Sequence, residues 1–168
     1  MNEIRTVTGP VEPAELGFTL PHEHLHLEMW NSDGEGSVIQ IDDDEVLAAE
    51  LEAFREVGGT CLVDQTPRAA GRQPDRLRKL SEATGVRIVA ATGWYTEPYY
   101  PAADQLDRIP VPQISEIMLE EIANGIGGTD VRPGLIGEIG ASQNWVSPLE
   151  EKVHRAAARA QVATGLPL

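Results

Sequence analysis

Two histidines and one glutamate carry the chemistry that can be read from this sequence. His22 and His24 stand two residues apart in Gly17-Phe-Thr-Leu-Pro-His-Glu-His-Leu25. In a strand, period-two alternation puts both imidazoles on one face, with Cα atoms roughly 7 Å apart. Two rings converging from one face suit a single metal ion. Glu138 stands in Gly134-Leu-Ile-Gly-Glu-Ile-Gly140. A carboxylate inside an apolar strand is costly unless a cation pairs with it. One such cation is a metal, and the two carboxylate oxygens could bridge a pair of ions. The other is a lysine or arginine on the next strand. Bridged ions ~3.5–4 Å apart would activate a water and clamp the charge that develops during hydrolysis.

Those residues need a scaffold that brings separate strands to one end. Four short apolar runs read as strands: Phe18 to Leu20, Thr60 to Asp64, Val86 to Thr92 and Leu135 to Ile139. Amphipathic stretches between them read as helices. Asp42 to Val57 carries Leu47, Leu51 and Phe54 on one face and stops at Gly58-Gly59. Pro74 to Thr84 carries Leu77, Leu80 and Thr84, with proline at its start and Gly85 at its end. Pro112 to Asn124 repeats Ile114, Ile117, Met118 and Ile122 at helical spacing. Ser147-Pro-Leu-Glu150 reads as a capping box opening a last helix, whose buried face is Leu149, Val153, Ala156, Ala157 and Ala160 and whose cap is Gly165. The segment Ile4 to Glu15 reads as a small hairpin or a lid.

Strand-helix alternation predicts an α/β fold with a parallel sheet covered by helices. After the last helix, Leu166-Pro-Leu168 reads as the start of a fifth strand. A closed (β/α)8 TIM barrel typically needs ~250 residues. The expectation is therefore a single incomplete domain over residues 1–168, the N-terminal half of such a barrel. In that fold functional groups sit at the C-terminal strand ends. His22 and His24 follow the first strand, Asp64 the second and Gly93-Trp94-Tyr95 the third, and Glu138 lies on the fourth.

Composition narrows the function classes. The chain has 168 residues, 41% apolar and 24% charged, as in ordinary globular proteins. A formal net charge of −14 disfavours nucleic-acid and anionic-membrane partners. No apolar run approaches the ~18 residues of a membrane span. The first residues lack a basic region followed by an apolar core, so a cytoplasmic location is expected. The single cysteine, Cys61, falls in an apolar run and is expected to be a buried, inert thiol.

The chain resembles a known family through Gly17-Phe-Thr-Leu-Pro-His-Glu-His-Leu25, Gly58-Gly-Thr-Cys-Leu-Val-Asp-Gln-Thr-Pro67, Ala91-Thr-Gly-Trp-Tyr95 and Ala156-Ala-Ala-Arg-Ala-Gln-Val-Ala-Thr-Gly165. These segments look like the phosphotriesterase family of the amidohydrolase superfamily. The resemblance implies a barrel with a binuclear centre, usually two zinc ions. It implies hydrolysis of ester, lactone or phosphoester-type bonds of a small-molecule substrate by a metal-bridging hydroxide. Under it, His22 and His24 match the pair that holds the more buried metal, and Glu138 matches the bridging ligand. In the best-known members that position is a carbamylated lysine; a glutamate is shorter and bridges without modification. Tyr95 matches a tyrosine lining the pocket mouth of lactonase-like members. The family's two later histidines and its proton-handling aspartate come from strands five, six and eight, so this chain alone is expected to be inactive or nearly so.

Several residues have plainer readings. His26 is expected in a loop and His154 on an exposed helix face. Asp64 either supports a ligating histidine or holds loop backbone. Trp94 and Tyr95 cover the barrel mouth or meet substrate. Arg72 reads as a solvated loop arginine, with an anionic substrate as its alternative. Asp42 to Glu45 and Glu120-Glu121 read as solvated helix faces. Two other functions stay open: a non-catalytic half barrel that pairs its open edge with a partner or a second copy, and a metal-dependent deoxyribonuclease, against which the net charge speaks.

Overall fold

The computed structural model describes residues 3–29, 39–68, 70–142 and 144–168. It begins with an antiparallel hairpin, β1 (Ile4–Thr6) against β2 (Gly9–Val11). β3 (Phe18–Glu23) follows, then a second antiparallel pair, β4 (Leu27–Met29) and β5 (Ile39–Ile41). Strand and helix then alternate: α1 (Asp44–Glu56), β6 (Gly59–Asp64), α2 (Pro74–Thr84) and β7 (Arg87–Thr92). α3 (Val111–Asn124), β8 (Leu135–Ile136) and α4 (Pro148–Thr164) complete the order. β3, β6, β7 and β8 lie side by side in that order, all parallel. They form a curled half-barrel sheet, because parallel neighbours need crossovers and the helices supply them.

Local signals set the helix ends. The Asp43 carboxylate accepts from the Glu45 and Val46 amides and caps α1. Ser147 and Glu150 form the expected capping box on α4. The helix faces read from periodicity are the buried ones. Leu47, Leu51, Leu77 and Leu80 pack under β6 and β7, while Ile114, Met118, Val153 and Ala156 pack with Ile136 and Trp94. Cys61 is fully buried, and burial pushes its thiol up, so it stays protonated and inert. No helix among the described residues is long and apolar enough to cross a membrane.

The strand limits differ from the sequence reading in two places that matter. β3 runs on to Glu23, beyond the apolar Phe18 to Leu20, so His22 lies within it and His24 just past its end. β8 stops at Ile136 instead of Ile139. Beyond it the backbone turns at Gly137, with φ +151°, where a glycine fits without strain. The Glu138 amide then reaches the Gln65 carbonyl beyond β6 at 3.3 Å. The β4–β5 pair was not foreseen, since three-residue strands are too short to show a period. The first hairpin seals the N-terminal end of the sheet and is no lid over the other end. Val7 is buried, its amide donates to the Ile88 carbonyl at 2.8 Å, and Arg5 Nη1 donates to the Ile122 carbonyl at 2.9 Å.

Arg72 and Glu121 correct the expectation that both are solvated. Their side chains are 6% and 7% exposed and form a two-pronged ion pair, with Nη2–Oε1 at 2.7 Å and Nη1–Oε2 at 3.0 Å. Arg72 also donates to the Ala91 carbonyl at 2.8 Å, Thr92 Oγ1 donates to Glu121 Oε2 at 2.6 Å, and Arg68 adds a longer contact of 3.2 Å. The reason is periodic: Glu121 is seven residues beyond Ile114 and three beyond Met118, on the face α3 turns inward. The acidic run at α1 is also paired, since Arg76 on α2 meets Asp42 and Asp44.

Glu150 stitches together the loops above β7 and β8. Its residue is fully buried, and its carboxylate accepts from the amides of Ser147, Ser142 and Glu97 at 2.9, 2.8 and 3.3 Å. Ser147 Oγ closes the same knot on the Glu97 carboxylate.

Two predictions follow from these buried carboxylates. Arg72→Met strands Glu121 with only part of its pairing and should cost about 3–5 kcal/mol in a denaturant titration. Adding Glu121→Gln to it should recover part of that loss. Burial raises the Glu150 carboxyl, but its hydrogen bonds outweigh this and bring it from 4.5 down to about 2. Its stabilisation is therefore complete above the unfolded value and drains away as the pH falls towards 2. Glu150→Gln should cost about 1–3 kcal/mol at pH 7 and flatten the acid limb of a stability-against-pH curve.

Candidate metal centre

The parallel sheet aims the ends of β3, β6, β7 and β8 the same way, and the curl turns those ends towards one another. His22 comes from the last turn of β3, His24 from the residue after it, and Glu138 from just past β8. His22 Nε2 lies 3.6 Å from Glu138 Oε2, and His24 Nε2 lies 3.5 Å from Glu138 Oε1. The two rings stand edge to face with centroids 5.3 Å apart. One donor atom from each of the three residues falls within a 4.8 Å span.

Those separations suit a shared ion. Two donors each ~2.1 Å from a tetrahedral ion stand roughly 3.4 Å apart. The 3.5 and 3.6 Å contacts match that value and are long for charge-assisted hydrogen bonds. The donor chemistry, two imidazoles and a carboxylate, is that of catalytic zinc sites, which hold three protein ligands and leave a position open. The alternative partner for Glu138, a lysine or arginine, does not occur among the described residues, where its ion pairs are to His22 and His24. Exposure of 49% for His22 and about a quarter for His24 and Glu138 leaves the cluster open to small molecules.

Supporting residues stand close by. His24 Nδ1 lies 3.0 Å from the Thr66 hydroxyl, a partner that sequence reasoning missed. The signal that could have found it was period two carried on from Asp64, the last residue of β6, to Thr66 just beyond it. Asp64 takes the backbone role of its two readings, with Oδ2 accepting from the Leu25 amide at 2.8 Å and Oδ1 from the Thr66 amide at 3.0 Å.

Tyr95 borders the cluster. Its loop is tied down by the Gly140 amide, which donates to the Tyr95 carbonyl at 2.8 Å, and its ring lies 5.7 Å from that of Tyr99. Burial first, then the negative charge of Glu138, pushes the Tyr95 phenol up, so it remains a hydrogen-bond donor at neutral pH. Gly93, with φ +135°, lets that loop pass where a Cβ would meet Ile139 at 2.5 Å. Trp94 is core, donating from Nε1 to Asp104 at 2.7 Å, and does not face the site.

The other histidines are separate. His26 is a buried loop residue whose Nε2 pairs with Asp44 at 2.8 Å. His154 is half-buried rather than fully on the surface. Its Nδ1 meets the Glu150 carbonyl at 2.8 Å, and with Gln65, Glu138 and Leu168 it lines a cavity of about 270 Å³.

Comparison with known proteins adds the family. Residues 2–168 match the phosphotriesterase family. The chain is 34% identical over 153 residues to the phosphotriesterase homology protein of Escherichia coli K12, which covers 90% of this chain and 51% of that protein. It is 32% identical over a 196-residue alignment to the N-acetyltaurine hydrolase of Rattus norvegicus, covering 99% and 55%. The lactonase Lmo2620 from Listeria monocytogenes superposes with a TM-score of 0.88 at 28% identity, over 98% of this chain and 55% of that one. The chain spans about half the length of the curated relatives it matches. With a match that runs from residue 2 to residue 168, this chain belongs to the phosphotriesterase family.

Proposed function

We propose that this chain supplies the first-strand and fourth-strand metal ligands of a zinc-dependent hydrolase acting on ester, lactone or related bonds of a small molecule. The observation that carries the reading is the convergence of His22, His24 and both oxygens of Glu138. A divalent ion bound there would polarise a substrate oxygen and lower the pKa of a water. His22 and His24 would hold it through Nε2, and Glu138 would join them and bridge to a second ion. Tyr95 would offer its phenolic O–H to substrate at the mouth.

The relatives support hydrolysis while differing in the bond their names describe, one a lactonase and one an N-acetyltaurine hydrolase. An N-acyl amide therefore joins the ester and lactone as a candidate substrate class. We assign the activity to a complete eight-stranded barrel, of which these residues provide four strands.

Zinc titration of chelator-stripped protein tests this directly. Wild type should bind zinc. His22→Ala, His24→Ala and Glu138→Gln should each lose more than the roughly 10–100-fold that removal of an outer-shell partner typically costs. Stripped protein that takes up no zinc, or that binds it equally well without His22 and His24, overturns the reading.

A further inference from the structure

We propose that Gln65 positions His22 by pinning a one-residue bulge in β3; the functional half of this inference rests on the metal reading above. The register of β3 against β6 shows the bulge. Leu20 pairs with Leu62 and Glu23 with Asp64, so three steps along β3 match two along β6. Pro21 and His22 fall between those pairs and have no register partner. An extra residue of this kind bends its strand and re-aims the side chains around it.

Phase shows what the bulge does. In an unbroken strand Leu20, His22 and His24 would share one face, since they stand at even spacing. Leu20 packs against the core cluster that contains Leu47 and Leu51 of α1 and Leu77 and Leu80 of α2. Histidines on that face would point among leucines, away from Glu138. Instead His22 and His24 approach the Glu138 carboxylate to 3.6 and 3.5 Å. The extra residue shifts the phase by one and turns them from the helix side to the mouth.

Gln65, just past the end of β6, holds that arrangement. Proline has no N–H, so the backbone of Pro21 offers only a carbonyl to be satisfied. Gln65 Nε2 donates to it at 2.9 Å. The Gln65 amide donates to the Glu23 carbonyl, also at 2.9 Å, so one residue grips the backbone on both sides of His22. Its carbonyl accepts from the Glu138 amide at 3.3 Å. Gln65 thus ties the strand that carries His22 to the loop that carries Glu138. Two of these bonds use backbone that any residue but proline would offer; the bond to Pro21 needs the glutamine side chain. It sets the direction in which His22 leaves the backbone and leaves the ring free to rotate. Gln65 is a positioning residue here, since it acts through the Pro21 carbonyl.

Gln65→Met, which keeps the side-chain length and removes the donor, tests this. The His22 and His24 rings stand edge to face with centroids 5.3 Å apart, so NOEs between their ring protons in metal-free protein read the aim of His22. Wild type should show these NOEs and Gln65→Met should weaken them. Zinc affinity should fall about 10-fold in the same variant, the low end of what loss of an outer-shell partner costs. In a His22→Ala background Gln65→Met should cost no further zinc affinity, because the residue it acts on is gone. A loss of the same size in that background marks a general loosening of the fold and overturns the inference. A Gln65→Met protein with unchanged NOEs and unchanged zinc affinity overturns it as well. A wild type that binds no zinc, yet shows ring contacts that Gln65→Met removes, overturns the metal reading and upholds the positioning role, so the two failures are distinguishable.

Discussion

Curvature of the parallel sheet is the constraint on which the site depends. Neighbouring strands lie ~4.8 Å apart, so in a flat sheet three steps would separate the backbones of β3 and β8 by about 14 Å. Yet His22 and His24 approach Glu138 to 3.6 and 3.5 Å across those same three steps. Curling of the sheet, which strand twist permits and helices packed along the outside maintain, narrows the gap, and side-chain reach with the turn at Gly137 covers the rest. Apolar residues at helical spacing, such as Leu77 with Leu80 and Ile114 with Met118, are therefore causes of the site geometry even though none touches it. The first hairpin contributes from the far end, where buried Val7 donates its amide to the Ile88 carbonyl of β7.

Curvature sets where the strands end, and buried charges set where the loops go next. Surface pairs such as Arg155 with Glu151 contribute little, because solvent screens them. The pairs out of solvent act on particular backbone groups. Arg72 and Glu121 grip the last residues of β7 through the Ala91 carbonyl and the Thr92 hydroxyl. The Arg68 amide holds the Gly93 carbonyl one step further on, at 2.9 Å. Glu150 binds the loop after β8 to the one after β7 through Ser142 and Glu97. Tyr95 lies inside this frame, which explains how a loop residue keeps a defined place beside Glu138.

What was legible in the sequence followed from repetition and punctuation. Helical spacing located the buried faces of α1 to α4, and the proline and glycine residues at their ends fixed the limits of α2 and α4 closely. The His-x-His pair and the glutamate between glycines were legible because their residue types sit badly in apolar strands without a partner. What stayed hidden depended on contacts between distant segments. Arg72 and Glu121, 49 residues apart, each look like surface charges alone, and only the period of α3 hinted that Glu121 turns inward. Thr66 stands 42 residues from His24, and counting in twos from Asp64 hints only at the side it faces, not at their hydrogen bond. The early end of β8 was illegible for another reason: the apolar run continues through Ile139, and hydropathy cannot see a backbone leaving its ladder.

That departure at Gly137 bears on what a glutamate does at the fourth strand. A glutamate has two methylenes between backbone and carboxylate, so it reaches less far than the modified lysine implied for other members. The shortfall must be met by the backbone or by the opposing side chains. Here the backbone meets it: after Gly137 the chain turns across the mouth, and the Glu138 amide bonds the Gln65 carbonyl beyond β6, two strands nearer to β3 than β8 itself. The carboxylate then splits its oxygens between two imidazoles, Oε2 towards the more exposed His22 and Oε1 towards the His24 that Thr66 holds. The two halves of the cluster are thereby unequal before anything binds, one orientation being set from behind by buried groups and the other open to solvent. An ion held by both imidazoles would meet a preset ligand in His24 and, in His22, a side chain with more rotational freedom to lose. The asymmetry arises from the protein's own hydrogen bonds and burial, and it orders the two histidine ligands by preorganisation.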